Sequence, residues 1–541
     1  MNFPVEWLAP IMFAVLFVFM LSGFPVAFAL AANGLLFGFI AIEMGLMNVA
    51  LLQALPDRLF GIMSNDTLLA IPFFTFMGLV LQRSGMAEDL LETIGQLFGR
   101  VRGGLAYAVI LVGALLAATT GVVAASVISM GLISLPVMQK YGYNPSVSTG
   151  VIAASGTLAQ ILPPSLVLIV MADQLGVSVG DMYLGALLPS MLLVGLFMAY
   201  IAARSWITPH AMPALPAHAY AFIERNGRSG IRSFLALATF STLSGFAVYH
   251  SLLQYEEIPS DTATVAAIAG GTACALATVG VNAWFKLGLI SQLAKAVVLV
   301  LLPPLALIFL VLGSIFVGLA TPTEGGAMGA VGALVLSMAK GRLNIENLKQ
   351  SLDSTTKLSC FVMFILIGST VFGLTFRAIE GDAWVESLLG DLPGGEYGFL
   401  IAVQILVFVL GFFLDFFEIA FILIPLLLPL AQSLDINLVW FGVMIAMNLQ
   451  TSFLTPPFGF SLFYLKSVTP KAISSLQIYK GALPFIAIQI VMVVMIFLFP
   501  GLVGKHDEKQ FEDSPLNIEI PSQNYGYGGS DGQPFVPSFS Q

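Results

Sequence analysis

Three pairs of adjacent prolines lie inside strongly apolar sequence, and the same landmark precedes two of them, the third being Pro303-Pro304. Leu135-Pro136 leads to Pro163-Pro164-Ser165, and Leu428-Pro429 leads, over an interval of identical length, to Pro456-Pro457-Phe458-Gly459. Each unit then reaches a shared signature, Gly185-Ala186-Leu187-Leu188-Pro189 in the first and Gly481-Ala482-Leu483-Pro484 in the second. Proline has no N–H and pushes the residue before it out of helical geometry, so a Pro-Pro pair inside a span strands carbonyls. In hydrocarbon, only protein groups or a bound ligand can meet them. A duplicated break of this kind is expected of a transport protein built from repeats, with discontinuous helices at a site near the bilayer midplane.

The chain has the composition such a fold requires. Hydrophobic residues make up 58% and charged residues 9% of its 541 positions, too little charge to cover a soluble globule of that length. Apolar runs at roughly 8–22, 24–43, 67–82, 105–135, 147–171, 183–202, 233–252, 263–283, 296–319, 325–339, 358–376, 399–430, 438–465 and 481–503 can span or re-enter a bilayer. They are continuous rather than alternating, which favours helices over a barrel, so the fold class is an all-α polytopic membrane protein. The first run carries no preceding basic residue and continues into a second span, so cleavage as a signal peptide is not expected. Cys274 and Cys360 sit singly in apolar runs and read as small core residues.

Loop charge orients the units, because Lys and Arg collect on the cytoplasmic side. Residues 172–182 contain Asp173 and Asp181 and no base, whereas the matching loop 466–480 contains Lys466, Lys471 and Lys480. Arg83, Arg100, Arg102 and Lys140 flank 105–135, which reads as a re-entrant hairpin opening to the cytoplasm. Its counterpart 399–430 is flanked by Glu380, Asp382, Glu386, Asp391, Glu396 and Asp435, with Arg377 the exception, and reads as opening outward. The repeat is therefore expected to be inverted, with both termini periplasmic. The chain divides into a first repeat over 1–203, a cytoplasmic loop with a two-span insertion over 204–285, a second repeat over 286–503, and a polar, disordered tail over 504–541. Residues 45–66 and 340–357 read as interfacial amphipathic arms.

Polar residues near the breaks and the hairpin tips are the candidates for binding. Ser155, Gly156, Thr157, Pro163 and Ser165 surround the first break, and Asn448, Gln450, Thr451, Ser452, Thr455, Pro456 and Gly459 surround the second. Thr119-Thr120-Gly121, with Ser126 beyond it, interrupts one hairpin, and Asp415 with Glu418 interrupts the other. Carbonyls and hydroxyls there make a neutral oxygen cage suited to Na⁺, while half-helix N-termini attract an anion. A carboxylate within the membrane is expensive and marks function by default, Asp415 above Glu418. Glu324, in Thr321-Pro322-Thr323-Glu324-Gly325-Gly326, is a coupling or packing residue. The four histidines show no metal-ligand spacing, no Gly-rich loop ends in Gly-Lys-Ser/Thr, and no basic run suits nucleic acid. Neither an enzyme nor a cofactor is expected, and energy has to come from an ion gradient.

Several ordered motifs also resemble one family. Ala118-Thr119-Thr120-Gly121-Val122-Val123-Ala124-Ala125-Ser126, Leu135-Pro136-Val137-Met138, Ala154-Ser155-Gly156-Thr157-Leu158, Pro163-Pro164-Ser165, Ala320-Thr321-Pro322-Thr323-Glu324 and Leu454-Thr455-Pro456-Pro457-Phe458-Gly459 resemble the large membrane subunit of tripartite ATP-independent periplasmic (TRAP) transporters. The likeness covers about 5–203 and 286–503. It implies an elevator mechanism of the ion transporter superfamily in a bacterial inner membrane, with Na⁺ as coupling ion. The implied partners are a small four-helix membrane subunit and a periplasmic solute-binding protein that delivers an organic acid such as a C4-dicarboxylate.

By the same resemblance, Thr120, Gly121, Ser155, Gly156 and Pro163 would form one ion site, and Asp415, Thr451, Thr455, Pro456 and Gly459 the other. Thr119, Ser126, Thr157, Ser165, Asn448 and Gln450 would face substrate. Many family members have Ser-Gly-Ser and then Asp where this chain has Thr120-Gly121-Val122 and Ser126, a departure at the first ion site. The alternative functions are a receptor-independent divalent anion/sodium symporter and, further off, an ion channel.

Overall fold

The computed structural model describes residues 5–220, 230–254, 260–286, 288–390 and 392–504, and among them every regular element is helical. The expected polar tail lies outside the described residues. Nine helices are long and apolar enough to cross a membrane among the described residues, or ten if the bent pair Val49–Met63 and Thr67–Arg83 counts as one span. The anticipated hairpins are present as Gly104–Thr120 with Val123–Lys140 and Glu396–Leu410 with Phe416–Ser433. The first arms have 17 and 15 residues, about 25 Å or less of helix, too short to cross ~30 Å of hydrocarbon. The broken helices are Pro145–Thr157 with Leu166–Leu175 and Leu438–Leu454 with Phe460–Val468.

Three expectations need correction. Cys274 is only half-buried and Cys360 is exposed, so neither is a core residue. Residues 340–357 do not form a separate arm, because Ile345–Ala378 is one continuous helix of 34 residues. Asn344 starts it by accepting the Asn347 N–H at 2.6 Å, and no proline interrupts it. Only the first unit has the interruption, at Ser64–Asp66, where the chain bends by 52° after two short helices, Val49–Gln53 and Leu55–Met63, that bury nothing. Charge in the loops also hid two helices. Met86–Leu97 carries Glu88, Asp89 and Glu92, yet Ala87, Leu90, Leu91 and Ile94 form a buried stripe at helical spacing. Gly381–Leu389 is its counterpart in the second unit.

Helix pairing makes the two units interlock. Val26–Glu43 runs alongside Ile345–Ala378, with Gly368 against Ala27, Gly34 against Phe372 and Gly38 against Thr375. Ala70–Arg83 runs alongside Pro322–Ala339, with Gly326 against Phe73 and Gly329 against Met77. In both cases residue numbers rise together, so each pair is parallel and joins one helix from each unit. Ala70–Arg83 ends where Ile345–Ala378 begins: the Arg83 guanidinium donates to Ser354 Oγ at 3.0 Å and the Arg83 carbonyl accepts from Asn347 Nδ2 at 3.3 Å. Equivalent helices therefore point in opposite directions, which is the geometry of an inverted repeat.

The same exchange recurs around the breaks. Leu166–Leu175 packs on Phe416–Ser433 of the other unit, and Phe460–Val468 packs on Val123–Lys140. The signature glycines make the reciprocal crossings. A Cβ on Gly481 would lie 1.9 Å from the Ser146 carbonyl oxygen, and one on Gly185 would lie 2.8 Å from Val439 Cγ1. Ser146 precedes Pro163 by the same interval that separates Val439 from Pro456, so the two crossings are equivalent.

The two-span insertion is present as Ile231–Leu252 and Ser260–Trp284. They meet where Gly245 and Gly271 let backbones approach, and Ser241 Oγ donates to the Gly271 carbonyl at 2.6 Å. Their apolar windows are only 11% and 17% buried, so most of the insertion faces outward, seated on Gln292–Phe316 through Val265 and Gly313.

Gly481→Val is expected to lower stability by about 3 kcal/mol, since backbone rather than a movable side chain opposes the new methyls. Gly195, with open space around it, should accept Ala without loss. Melting of the detergent-solubilised protein reads both, and equal shifts would rule out the close crossing.

Candidate functional site

The first break forms because Pro163 and Pro164 follow a helix that already tightens. Pro145–Thr157 starts at Asn144, whose Oδ1 accepts the Ser146 N–H at 2.9 Å, then narrows to a 3₁₀ turn over Leu158–Gln160 and leaves helical geometry until Leu166. Ser165 Oγ donates to the Gln160 carbonyl at 2.8 Å. Gly121 closes the tip above this break with φ +60°, and a Cβ there would lie 2.8 Å from Leu166 Cγ, so the tip rests on the start of the second half-helix. Thr119 and Thr120 both donate to the Leu116 carbonyl at 2.9 Å. With the Thr120 proton committed there, Ser126 is the donor in the 2.8 Å contact between their hydroxyls.

The second break repeats the plan with other residues. Leu438–Leu454 ends at Thr455, and the chain resumes helix at Phe460 after Pro456, Pro457 and Gly459. Ser461 Oγ donates to the Phe453 carbonyl at 2.8 Å. Gln160 and Phe453 precede the first proline of their breaks by the same interval, so the same carbonyl in each unit is met by a serine from beyond the break. The Thr455 hydroxyl donates to the Thr451 carbonyl at 2.7 Å and that of Thr451 to the Met447 carbonyl at 3.1 Å, leaving their oxygen lone pairs as acceptors. Gly411 of the hairpin abuts Ser452, and the Phe413 and Phe458 rings stand 5.4 Å apart, which brings tip and break together.

Asp415 occupies the N-cap of Phe416–Ser433 in a capping box with Glu418. The Phe416 N–H donates to Asp415 Oδ1 at 2.6 Å, and the Asp415 N–H donates to Glu418 Oε2 at 2.9 Å. Its counterpart is Val122, the N-cap of Val123–Lys140, since Val122 precedes Pro136 by the same interval that separates Asp415 from Pro429. The asymmetry between the tips is thus carboxylate against isopropyl, with Thr120 and Ser126 lying to either side of the position that differs. Glu324 lies apart and exposed; it caps Pro322–Ala339 by accepting the Thr321 N–H at 2.8 Å.

At the centre, Thr157 joins the units. Its hydroxyl donates to the Ala154 carbonyl at 2.9 Å and accepts from Gln450 Nε2 and Gln489 Nε2, both at 3.3 Å. Thr157 and Gln450 hold the same place relative to Pro163 and Pro456, so counterparts touch each other and mark the two-fold axis. Of the other residues proposed to face substrate, Asn448 donates instead to the Gln404 carbonyl at 2.6 Å, and Thr119 lies under Gly78. Ser155 packs on Gly113, and Gly156 packs on Val127.

Sequence reasoning missed Gln160, Gln404 and Gln489. All three carry buried amide atoms without a protein partner, as does Oε1 of Gln450. The available signal was the same in each case, an amide side chain inside an apolar span.

Known proteins share this arrangement. The family model described as "Tripartite ATP-independent periplasmic transporter, DctM component" matches residues 13–502. The C4-dicarboxylate TRAP transporter large permease protein DctM of Pseudomonas aeruginosa is 26% identical over 453 residues, covering 83% of this chain and 88% of that one. The 2,3-diketo-L-gulonate TRAP transporter large permease protein YiaN of Escherichia coli K12 is 23% identical over 482 residues, covering 89% and 94%. Among solved structures, the YdaH transporter of Alcanivorax borkumensis, described as having an unusual topology, matches with a TM-score of 0.51 at 15% identity over 84% of this chain and 90% of that one, a likeness of fold.

Thr157→Val should leave two buried amide N–H groups unpartnered and cost roughly 1–3 kcal/mol. In a double-mutant cycle with Gln450→Leu, read by thermal unfolding in detergent, the pair should show a coupling of at least ~0.5 kcal/mol. Strict additivity would mean that the contact across the axis does not form.

Proposed function

This chain belongs to the DctM component family of tripartite ATP-independent periplasmic transporters, and from that premise we propose that it is the large membrane subunit of a Na⁺-coupled symporter importing an organic acid. A soluble periplasmic solute-binding protein delivers the acid, and a small four-helix membrane subunit completes the complex. The relatives' names support the substrate class, since C4-dicarboxylate and 2,3-diketo-L-gulonate are both carboxylates.

One observation carries the Na⁺ assignment. Both breaks are met by a hairpin tip, and the hydroxyls of Thr120, Ser155, Thr451 and Thr455 donate their protons to carbonyls of their own helices. Oxygens whose protons are engaged elsewhere offer only lone pairs to the space beside them, which suits a hard cation and disfavours an anion at those atoms. One ion then belongs with Thr120, Gly121, Ser155, Gly156 and Pro163, and the other with Asp415, Thr451, Thr455, Pro456 and Gly459. Only the second site has a full negative charge, so it holds its Na⁺ more tightly. The substrate carboxylate lies between them, in the space bordered by Thr119, Ser126, Thr157, Ser165, Asn448 and Gln450. The hydroxyl protons of Thr119, Ser126, Thr157 and Ser165 are engaged within the protein, so the anion is met by the positive dipole ends of the half-helices that begin at Leu166 and Phe460.

Alternating access follows an elevator path. Hairpins and broken helices move as one body, while the parallel pairs built from Val26–Glu43, Ala70–Arg83, Pro322–Ala339 and Ile345–Ala378 stay as the frame. The orientation is that of the loop charges, with both termini periplasmic.

Reconstituted with its two partners, the protein should accumulate solute only under an inward Na⁺ gradient. Asp415→Asn is the discriminating change, because asparagine caps a helix as well as aspartate does but carries no charge. It should weaken Na⁺ dependence of uptake roughly 10- to 100-fold, the value of one charge-assisted contact, while melting stays near wild type. Uptake without Na⁺, or wild-type Na⁺ dependence in the variant, would defeat the coupling assignment.

A further inference from the structure

A cavity of about 410 Å³ opens between the start of Pro145–Thr157, the end of Val179–Ile207 and the first turns of Ser475–Leu498. One wall brings a cation from each unit, Arg204 and Lys480, to the same space. Among the described residues neither meets a carboxylate. Several other bases at this end of the molecule are engaged: Lys340 and Arg342 pair with Asp89, Arg83 donates to Ser354, and Lys466 donates to the Ile473 carbonyl at 2.9 Å. The Tyr200 and Ser146 side chains also line the cavity, and no acidic side chain does. Tyr200 is fixed edge-on against Phe485, with ring centroids 5.0 Å apart. Two cationic residues lining one space, with no acid among the lining residues, match the charge of a phosphodiester.

The surroundings favour a lipid as its source. Apart from Asn144, the rest of the wall is apolar, with Val147, Ile207, Pro484 and Phe485 among its residues. Trp206, Ile207 and Leu483 beside it are 86%, 69% and 56% exposed, so the mouth opens on the side that faces hydrocarbon, and the tryptophan marks the level of the headgroups. Loop charge assigns this end to the cytoplasm, where basic recesses between spans recognise anionic headgroups. The cavity of about 480 Å³ lined by Thr67, Asp173, Ser178 and Pro322 has no base, so the feature is not general to clefts between these helices. We propose that the Arg204–Lys480 cavity binds the phosphate headgroup of an anionic phospholipid of the cytoplasmic leaflet. The lipid bridges the two units beside the Gly481–Ser146 crossing.

Native mass spectrometry of the full-length protein in detergent, titrated with phosphatidylglycerol or with phosphatidylcholine of the same acyl chains, tests this directly. Phosphatidylglycerol should be retained selectively, and Arg204→Gln with Lys480→Gln together should weaken it about 30-fold. Arg204→Lys with Lys480→Arg should preserve retention, and Lys471→Gln, outside the cavity, should leave it unchanged. If the double glutamine variant does not fold, Lys480→Gln alone, at an exposed residue, should still weaken binding about fivefold. Equal retention of both lipids, or undiminished phosphatidylglycerol binding in the glutamine variants, would overturn the proposal. Displacement of phosphatidylglycerol by millimolar inorganic phosphate would make this a site for a soluble anion and would equally overturn it.

Discussion

A carbonyl left unpaired in hydrocarbon costs several kcal/mol, and this protein interrupts two helices where no water is at hand. Everything around the breaks answers that cost. Serine hydroxyls return across each gap to the Gln160 and Phe453 carbonyls. A hairpin tip meets each gap; residues 158–172 are buried throughout, whereas Pro457 and Phe458 of the second gap are exposed. The opposite unit supplies the flank, through Phe416–Ser433 for one half-helix and Val123–Lys140 for the other. Neither unit satisfies its own break alone, which is why the repeat is interleaved rather than arranged as two neighbouring domains.

Interleaving also explains the glycines. Gly481, Gly185 and Gly34 all stand where a backbone or side chain of the other unit comes closer than a Cβ permits. Close approach is what lets short half-helices and hairpin arms be enclosed by protein in place of lipid. The frame built from parallel pairs is longer and more regular, with uninterrupted helices of 18 and 34 residues. Long parallel pairs and short helices closely packed around the breaks are separate solutions to the same requirement.

The spans, the hairpins and the breaks were legible because apolar length acts locally and two Pro-Pro pairs share a landmark; a pair alone is no sign of a break, since Pro303-Pro304 lies inside the continuous helix Gln292–Phe316. The inverted relation was legible because loop charge reflects orientation before any helix pairs. Met86–Leu97 was not, since its three acidic residues masked a stripe visible only once the helix is assumed. The break between Val49–Met63 and Thr67–Arg83, set against the continuity of Ile345–Ala378, was equally hidden, because both stretches mix charge with apolar residues. At the candidate site, hydroxyls and carboxylates stood out from their apolar context, whereas Gln489 could not be joined to Thr157 across 332 positions without the fold. Asp415 stood out by its charge; Val122 holds the same place before its Leu-Pro landmark, but an apolar residue in an apolar run drew no attention to that spacing.

The contact between Thr157 and Gln450 sits where the two halves of the chain face themselves. Two copies of a single-unit protein assembling head to tail in the membrane would have to put identical side chains on either side of that axis. A chain that carries both units in tandem is free of this rule. It sets a hydroxyl against an amide, as it sets Asp415 in one half where the other has Val122. Tandem duplication therefore allowed an asymmetric centre inside a symmetric frame, and the two breaks of such a chain are free to differ in chemistry while their surroundings stay matched.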